Sequence, residues 1–180
     1  MVPRNELVRI GDGPGFTRKN DPALARGFAC AYTGGGRLYM EAPFRDGRTD
    51  GIVRHYFESG QLRRETLFRD GKQEGIEKVY FASGRLWMEM PYEDDVIEGM
   101  IRHYFENGQL RRETLFRDGE REGPMTVYRE SGAPVFTIFY KASVSVGGAC
   151  HFSNGMTRPL TDIELMSYEG AGICIEPGLI

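Results

Sequence analysis

The sequence predicts an all-β fold, an elongated single-layer array of antiparallel β-hairpins with irregular or short helical terminal caps, and three observations predict it. The first is a period. Glycines fall at Gly27, Gly51, Gly75, Gly99 and Gly123, and again at Gly36, Gly60, Gly84, Gly108 and Gly132, each 24 residues after the last. Tyr32, Tyr56, Tyr80, Tyr104 and Tyr128 share that step, as do Glu41, Glu65, Glu89 and Glu113 before Thr137 breaks the series. Self-similarity at this spacing marks small supersecondary units in series. The second is composition: 24 glycines in 180 residues, with 11 Phe, 9 Tyr and 1 Trp, favour short strands joined by tight turns. The third lies inside each period, where the strand-like runs "GIVRHYF" and "LRRETLFR" flank "ESGQ" and are closed by "DGK".

Each unit reads as a hairpin. Asn107-Gly108 suits a type I′ turn, in which both central residues take φ > 0, and Ser59-Gly60 is its counterpart one copy earlier. A two-residue loop at 59 and 60 opposes Phe57 to Leu62, Tyr56 to Arg63, His55 to Arg64 and Arg54 to Glu65. The same register opposes Lys78 to Glu89, Arg102 to Glu113 and Thr126 to Thr137, so acid and base appear and vanish together. Opposed charges specify pairing at about 0.2–1 kcal/mol each. One hairpin is marginal in water, so the units must pair edge to edge.

A longer beat overlies the shorter one. "FESGQLRRETLFRDG" at 57–71 returns at 105–119 with Ser59 changed to Asn107, and "RLYMEAPFRDG" at 37–47 is echoed by "RLWMEMPYEDD" at 85–95. Two unlike hairpins were therefore duplicated together as a 48-residue block. Domain boundaries follow: an N-terminal cap at 1–26, five hairpin repeats at 27–146, and a degenerate sixth repeat with a C-terminal cap at 147–180. Asn20 or Asp21 can cap a short helical turn, and Thr161 with Glu164 has capping-box spacing. Such ends would cover exposed strand edges.

Charge and cysteines bound the function. Lys and Arg number 23 against 26 Asp and Glu, a net charge of −3 that disfavours bulk nucleic-acid binding. Cys30, Cys150 and Cys174 lack CxxC spacing and read as reduced thiols of a cytoplasmic protein. "MVPRNELVRIGDG" has no apolar signal-peptide region, and no run is long enough for stable membrane insertion, so secretion by the general route is not expected.

No constellation carries chemistry. His55, His103 and His151 stand 48 residues apart, too far along a sheet to ligate one metal, so no metal site, cofactor or catalytic residue is assigned. "GDGPG" at 11–15 and "GGG" at 34–36 lack the lysine of a phosphate loop and read as turns. His55 beside Arg64 and His103 beside Arg112 form candidate anion-binding spots. The remaining candidates are for partner binding: Tyr39, Tyr56, Arg63, Tyr80, Trp87, Tyr104 and Arg111. On the assumed register Tyr56 pairs with Arg63, Tyr104 with Arg111, Tyr80 with Trp87 and Tyr32 with Tyr39, a line of the residue types that anchor interfaces. The repeated "LRRE" is then read as placing one Arg on each face.

The pattern G-x4-Y-[YF]-x-[NS]-G-x-L-x2-E-x4-[DN]-G resembles the MORN-variant repeat over residues 27–146, and the arrangement is similar to bacterial proteins of the YwqK-type antitoxin family. The resemblance implies a twisted β-hairpin sheet whose surface binds another protein, a cognate toxin in the antitoxin case, or a lipid surface. It departs from the pattern where "EDDVIEG" replaces the "DGK" turn. The reading is a non-enzymatic antitoxin or immunity protein acting by occlusion, with an anionic-lipid scaffold using the paired arginines as the alternative.

Overall fold

The computed structural model describes residues 7–9, 26–166 and 174. Its strands follow chain order: β1 (Leu7–Arg9), β2 (Arg26–Tyr32), β3 (Leu38–Arg45), β4 (Arg48–Thr49), β5 (Gly51–Tyr56), β6 (Leu62–Arg69), β7 (Lys72–Tyr80), β8 (Leu86–Glu93) and β9 (Val96–Ile97). They continue with β10 (Gly99–Tyr104), β11 (Leu110–Arg117), β12 (Glu120–Tyr128), β13 (Pro134–Lys141), β14 (Val144–His151) and β15 (Thr157–Pro159), before the short helix α1 (Asp162–Met166). The candidate helical cap at Asn20–Asp21 and the turn at 11–15 lie outside the described residues.

Two compact units divide this chain. The first takes the described residues up to Leu86 with Pro91–Val96, and the second takes Trp87–Met90 with those from Ile97 onward. In the first, β2, β3, β5, β6 and β7 pair antiparallel in that order, β4 pairs with β3 alone, and β1 adds to β2 in parallel. In the second, β10 pairs with β8 and then β10 through β15 pair antiparallel in order.

The two kinds of turn differ from the expected assignment. The type I′ turns sit at the other end of the hairpins, where both central residues take positive φ: Asp46-Gly47, Asp70-Gly71 and Asp118-Gly119, and without glycine Asp94-Asp95 and Ala142-Ser143. The segment at 57–61 is instead closed by Phe57 N donating to Gln61 O and Gly60 N donating to Phe57 O, both 2.8 Å. Gly60 and Gly108 (both φ 87) are left-handed there, while Ser59 and Asn107 are not. The side chain before that glycine bonds to the backbone of its own turn, where Asn107 Oδ1 accepts from Gln109 N at 2.9 Å and Ser59 Oγ accepts from Gln61 N at 3.5 Å. A type I turn with a glycine bulge costs the strand one register position. Tyr56 therefore opposes Leu62, where two-residue geometry would have brought Phe57.

Successive turns are stitched to one another. Glu74, Glu98 and Glu122 accept from the backbone N–H of Asp94, Asp118 and Ala142 at 3.3, 2.8 and 3.0 Å. Backbone bonds join the same turns: Gly71 N to Thr49 O (2.8 Å), Gly119 N to Ile97 O (3.0 Å) and Ser143 N to Arg121 O (3.0 Å).

Burial concentrates on one sheet face. In the first unit Ala31, Met40, Ala42 and Val53 cluster, with Tyr39, Phe44 and Phe68 against them. In the second, Met125, Phe136, Ile138, Tyr140, Cys150, Phe152, Leu160 and Cys174 form the core. The sixth hairpin keeps the five-residue turn, with Phe152 N donating to Met156 O at 2.9 Å. Gly148 is required beneath the cap, because a Cβ there would lie 2.6 Å from both Leu160 Cδ1 and Thr137 O. The capping box forms: Thr161 N donates to Glu164 Oε2 at 2.8 Å and Glu164 N to Thr161 Oγ1 at 3.3 Å. Arg158 holds the same carboxylate at 2.6 and 2.9 Å, and that pairing pulls the Glu164 pKa down to about 2.

The expectation of three reduced thiols is overturned for two of them. Cys150 and Cys174 form a disulfide with Cα atoms 5.4 Å apart, because Cys174 folds back into the core that holds Leu160 and Phe152. Cys30 alone is a free thiol, and it is buried.

Two outcomes follow from these seams. Ala142 occupies a left-handed position (φ 47) that its sister turns fill with Asp, so Ala142→Asn should raise the unfolding free energy by about 1 kcal/mol. An unchanged or lowered urea midpoint contradicts that. Reducing the disulfide, whose cysteines are 24 residues apart, should lower stability by about 3 kcal/mol. A melting curve indifferent to reductant would show that the bond does not tie the tail.

Candidate functional site

The two faces of the hairpins carry different chemistry, and one of them is occupied by the fold itself. Arg54 opposes Glu65 on one neighbour and Glu41 on the other, with nitrogen–oxygen distances of 4.0 and 3.3 Å. Arg102 likewise stands between Glu113 and Glu89, Lys78 opposes Glu65, and Thr126 meets Thr137 with hydroxyls 3.1 Å apart. Into these carboxylates reach the periodic tyrosines. Tyr56 donates to Glu41 at 2.7 Å, Tyr80 to Glu65 at 2.7 Å, Tyr104 to Glu89 at 2.8 Å and Tyr128 to Glu113 at 2.6 Å. In each of these bonds donor and acceptor lie 15 residues apart, so each ties one hairpin to the hairpin before it.

Three predicted contact residues, Tyr56, Tyr80 and Tyr104, therefore spend their hydroxyls inside the scaffold. The pairings assumed for them also change: Tyr56 opposes Leu62, Tyr104 opposes Leu110 and Tyr32 opposes Leu38, not Arg63, Arg111 and Tyr39. The cause is the bulge that follows each five-residue turn. It inserts Arg63 between the partners of His55 and Tyr56, and an inserted residue is re-aimed relative to simple alternation.

Re-aiming carries the bulge residue to the other face. Tyr39 packs on the Ala31, Met40, Ala42 and Val53 cluster. Trp87 meets the His103 ring edge-on, centroids 6.1 Å apart. Arg63 and Arg111 lie over Phe57 and Phe105, each guanidinium 5.7 Å from the ring centroid. Both arginines of "LRRE" act on one histidine, which corrects the reading of one Arg per face. Burial first, then Arg64 and Arg63, lower the His55 pKa to about 4; burial, Arg112 and Arg111 do the same for His103. Arg64 Nη2 lies 3.4 Å from His55 Nε2 and Arg112 Nη2 lies 3.2 Å from His103 Nε2. A neutral ring accepts there and carries its proton on Nδ1, an atom that is buried without a hydrogen-bond partner in both histidines.

One residue of this face escaped sequence reasoning. Glu77 is buried, at 4% exposure, in the slot that Val53, Ile101 and Met125 fill in sister units. Thr66 Oγ1 donates to its Oε2 at 2.6 Å. Burial and then the Glu77 charge raise the Tyr92 pKa, while Arg64 opposes them. A carboxylate interrupting an apolar 24-residue series was the signal that could have found it.

The tyrosine bonds set a pH dependence. Burial and then the partner carboxylate push Tyr56, Tyr104 and Tyr128 up to about 12. A phenol whose folded pKa lies above its unfolded value near 10 contributes stability that is full below pH 10 and lost as pH rises to about 12. Ultraviolet titration of tyrosinate, with single Tyr→Phe variants assigning each step, should show these three ionising near 12. Ionisation near 10 in the folded chain would contradict the bonds.

Among solved structures the chain is similar to a S. aureus TarM mutant in complex with fondaparinux, alpha-GlcNAc-glycerol and UDP, at 11% identity over 66% of this chain, with a TM-score of 0.30. It is also similar to a GtfA/B complex bound to UDP and GlcNAc, at 10% identity over 66% of this chain, with a TM-score of 0.28. The chain spans 21% and 24% of the lengths of those two. No curated protein matches, so the antitoxin resemblance gains no relative. Residues 49–70, 73–94 and 97–118 match the MORN repeat variant, three consecutive repeats in the register that runs from one Asp-Gly-type turn to the next.

Proposed function

We propose that the chain is a non-enzymatic protein-binding module that neutralises a partner protein, a toxin in the antitoxin reading, by covering it with the bulge residues that each unit presents on its own hairpins. MORN repeats generally bind proteins or membranes. One observation carries the choice. Tyrosine, glutamate and glycine recur because they join hairpins, whereas the residue re-aimed by the bulge changes from each unit to the next: Tyr39, Arg63, Trp87, Arg111. Tyr, Trp and Arg dominate interface hot spots, and a sheet already fastened by hydrogen bonds orders few side chains on binding. The Cys150–Cys174 disulfide favours an oxidising compartment over the cytoplasm expected from cysteine spacing.

A second reading gains from the bulge. Arg63 with Arg64, and Arg111 with Arg112, act on one face each time, a better arrangement for anionic lipid than one arginine per face.

The test compares the wild type with a variant carrying Tyr39→Ala, Arg63→Ala, Trp87→Ala and Arg111→Ala. The wild type should copurify a partner protein from the native host and restore growth when a neighbouring gene is toxic; the variant should do neither while keeping its circular dichroism. No partner and no rescue by the wild type sinks the antitoxin reading. Salt-sensitive cosedimentation with anionic vesicles in its place would install the lipid reading.

A further inference from the structure

Beside the tyrosine–glutamate seam, on the same sheet face, the second unit carries an apolar row. Met100 opposes Leu115 two residues along from the Arg102–Glu113 pair, and Pro124 opposes Phe139 two residues along from Thr126–Thr137. Side chains two apart on a strand share a face. The register break between β11 and β12 falls where these two pairs adjoin, and a Cβ at Gly123 would lie 3.2 Å from Leu115 Cδ2 there. The row crosses all four strands β10–β13, yet Pro124 is exposed and Phe139 is 47% exposed. Buried apolar groups of this unit gather instead on the opposite face, around Phe136, Ile138 and Tyr140.

Charge around the row selects its occupant. On the turn side stand Glu98, two residues before Met100; Arg117, two after Leu115; Glu120, which opposes Arg117; and Lys141, two after Phe139. Their signs alternate from β10 to β13. On the seam side the same strands carry Arg102, Glu113, Thr126 and Thr137. A two-fold axis parallel to the strands, set between two copies of this face, keeps each level along the strands and reverses the strand order. Glu98 then meets Lys141 and Arg117 meets Glu120. Met100 meets Phe139 and Leu115 meets Pro124, while Arg102 and Glu113 meet the hydroxyls of Thr137 and Thr126. No like charges face each other in any of the three rows. A patch complementary to itself under a two-fold axis is what an isologous interface requires.

We propose that the chain forms a homodimer in which the apolar rows of two second units pack face to face about that axis. An apolar row flanked by both signs of charge suits neither an anionic lipid surface nor a partner of uniform charge, and stacked sheet faces bury such side chains between them. The dimer goes beyond the binding reading above. Trp87 and Arg111 lie on the opposite face, so each copy keeps them outward and the pair presents two recognition surfaces.

Sedimentation equilibrium of the full chain should show a concentration-dependent rise to twice the monomer mass. F139E should raise the dimer dissociation constant at least about tenfold, with unchanged circular dichroism. Engineered cysteines test the register. Met100 and Phe139 of one copy lie three strands apart, about 14 Å, too far for a disulfide within the chain, whereas each faces the other across the axis. Diamide oxidation of M100C/F139C should therefore give a covalent dimer on a non-reducing gel, and F139C alone none. A wild type that stays monomeric overturns the proposal, as does a dimer indifferent to F139E or a double-cysteine variant that does not cross-link. A monomer whose F139E variant loses a copurified protein overturns it too and gives the row to that protein. If the chain is monomeric while the four-residue variant still loses its partner, the dimer falls and the protein-binding reading stands.

Discussion

The hydrogen bond from a tyrosine of one hairpin to a glutamate of the hairpin before it is the interaction on which the rest depends. A lone two-stranded hairpin cannot bury enough surface to persist in water, and the buried clusters of this chain are small. Among the described residues the bond recurs as Tyr56–Glu41, Tyr80–Glu65, Tyr104–Glu89 and Tyr128–Glu113. Charge-assisted bonds to partly buried carboxylates are stronger than neutral ones, and each acid also faces a cation or a threonine across its strands. At the far turns, Glu74, Glu98 and Glu122 make a second seam by the same logic. Fold stability is thus written in polar positions that recur, which leaves other positions free to differ.

In the proposed function the opposite face of the hairpins is the recognition surface, and that division of labour leaves its residues able to vary. Its bulge residues alternate between aromatic rings and guanidiniums stacked on phenylalanine, set beside histidines that burial and neighbouring arginines hold neutral. Buried polar side chains also stand on this face at Thr66, Glu77 and Thr114. Apolar residues would serve packing better there, as Val53, Ile101 and Met125 do in the slot of Glu77. Glu77 breaks the apolar series of its slot as a buried carboxylate that accepts from the Thr66 hydroxyl.

Much of this was legible in the chain. The 24-residue beat marked out the hairpins, and the co-appearance of Arg54, Glu65, Arg102 and Glu113 with the matched loss at Thr126 and Thr137 set the strand register up to His55. Beyond His55 it failed for a local reason: Asn-Gly and Ser-Gly admit a type I′ turn, but also a type I turn closed by a left-handed glycine, and a dipeptide does not choose between them. The choice inserted one residue and moved Tyr39, Arg63, Trp87 and Arg111 to the other face. The tyrosines were recognised as periodic yet assigned to a surface, because their acceptor sits in the neighbouring unit, 15 residues away. Disulfide pairing was hidden for a similar reason, since the fold-back that brings Cys174 to Cys150 leaves no mark in cysteine spacing.

A double-mutant cycle on Tyr128 and Glu113, whose hydroxyl and carboxylate lie 2.6 Å apart, tests the central claim most directly. Unfolding free energies of Tyr128→Phe, Glu113→Ala and the double variant should show a coupling of about 1–2 kcal/mol. Additive effects, with coupling under about 0.3 kcal/mol, would mean that the hairpins are held together by something other than this bond.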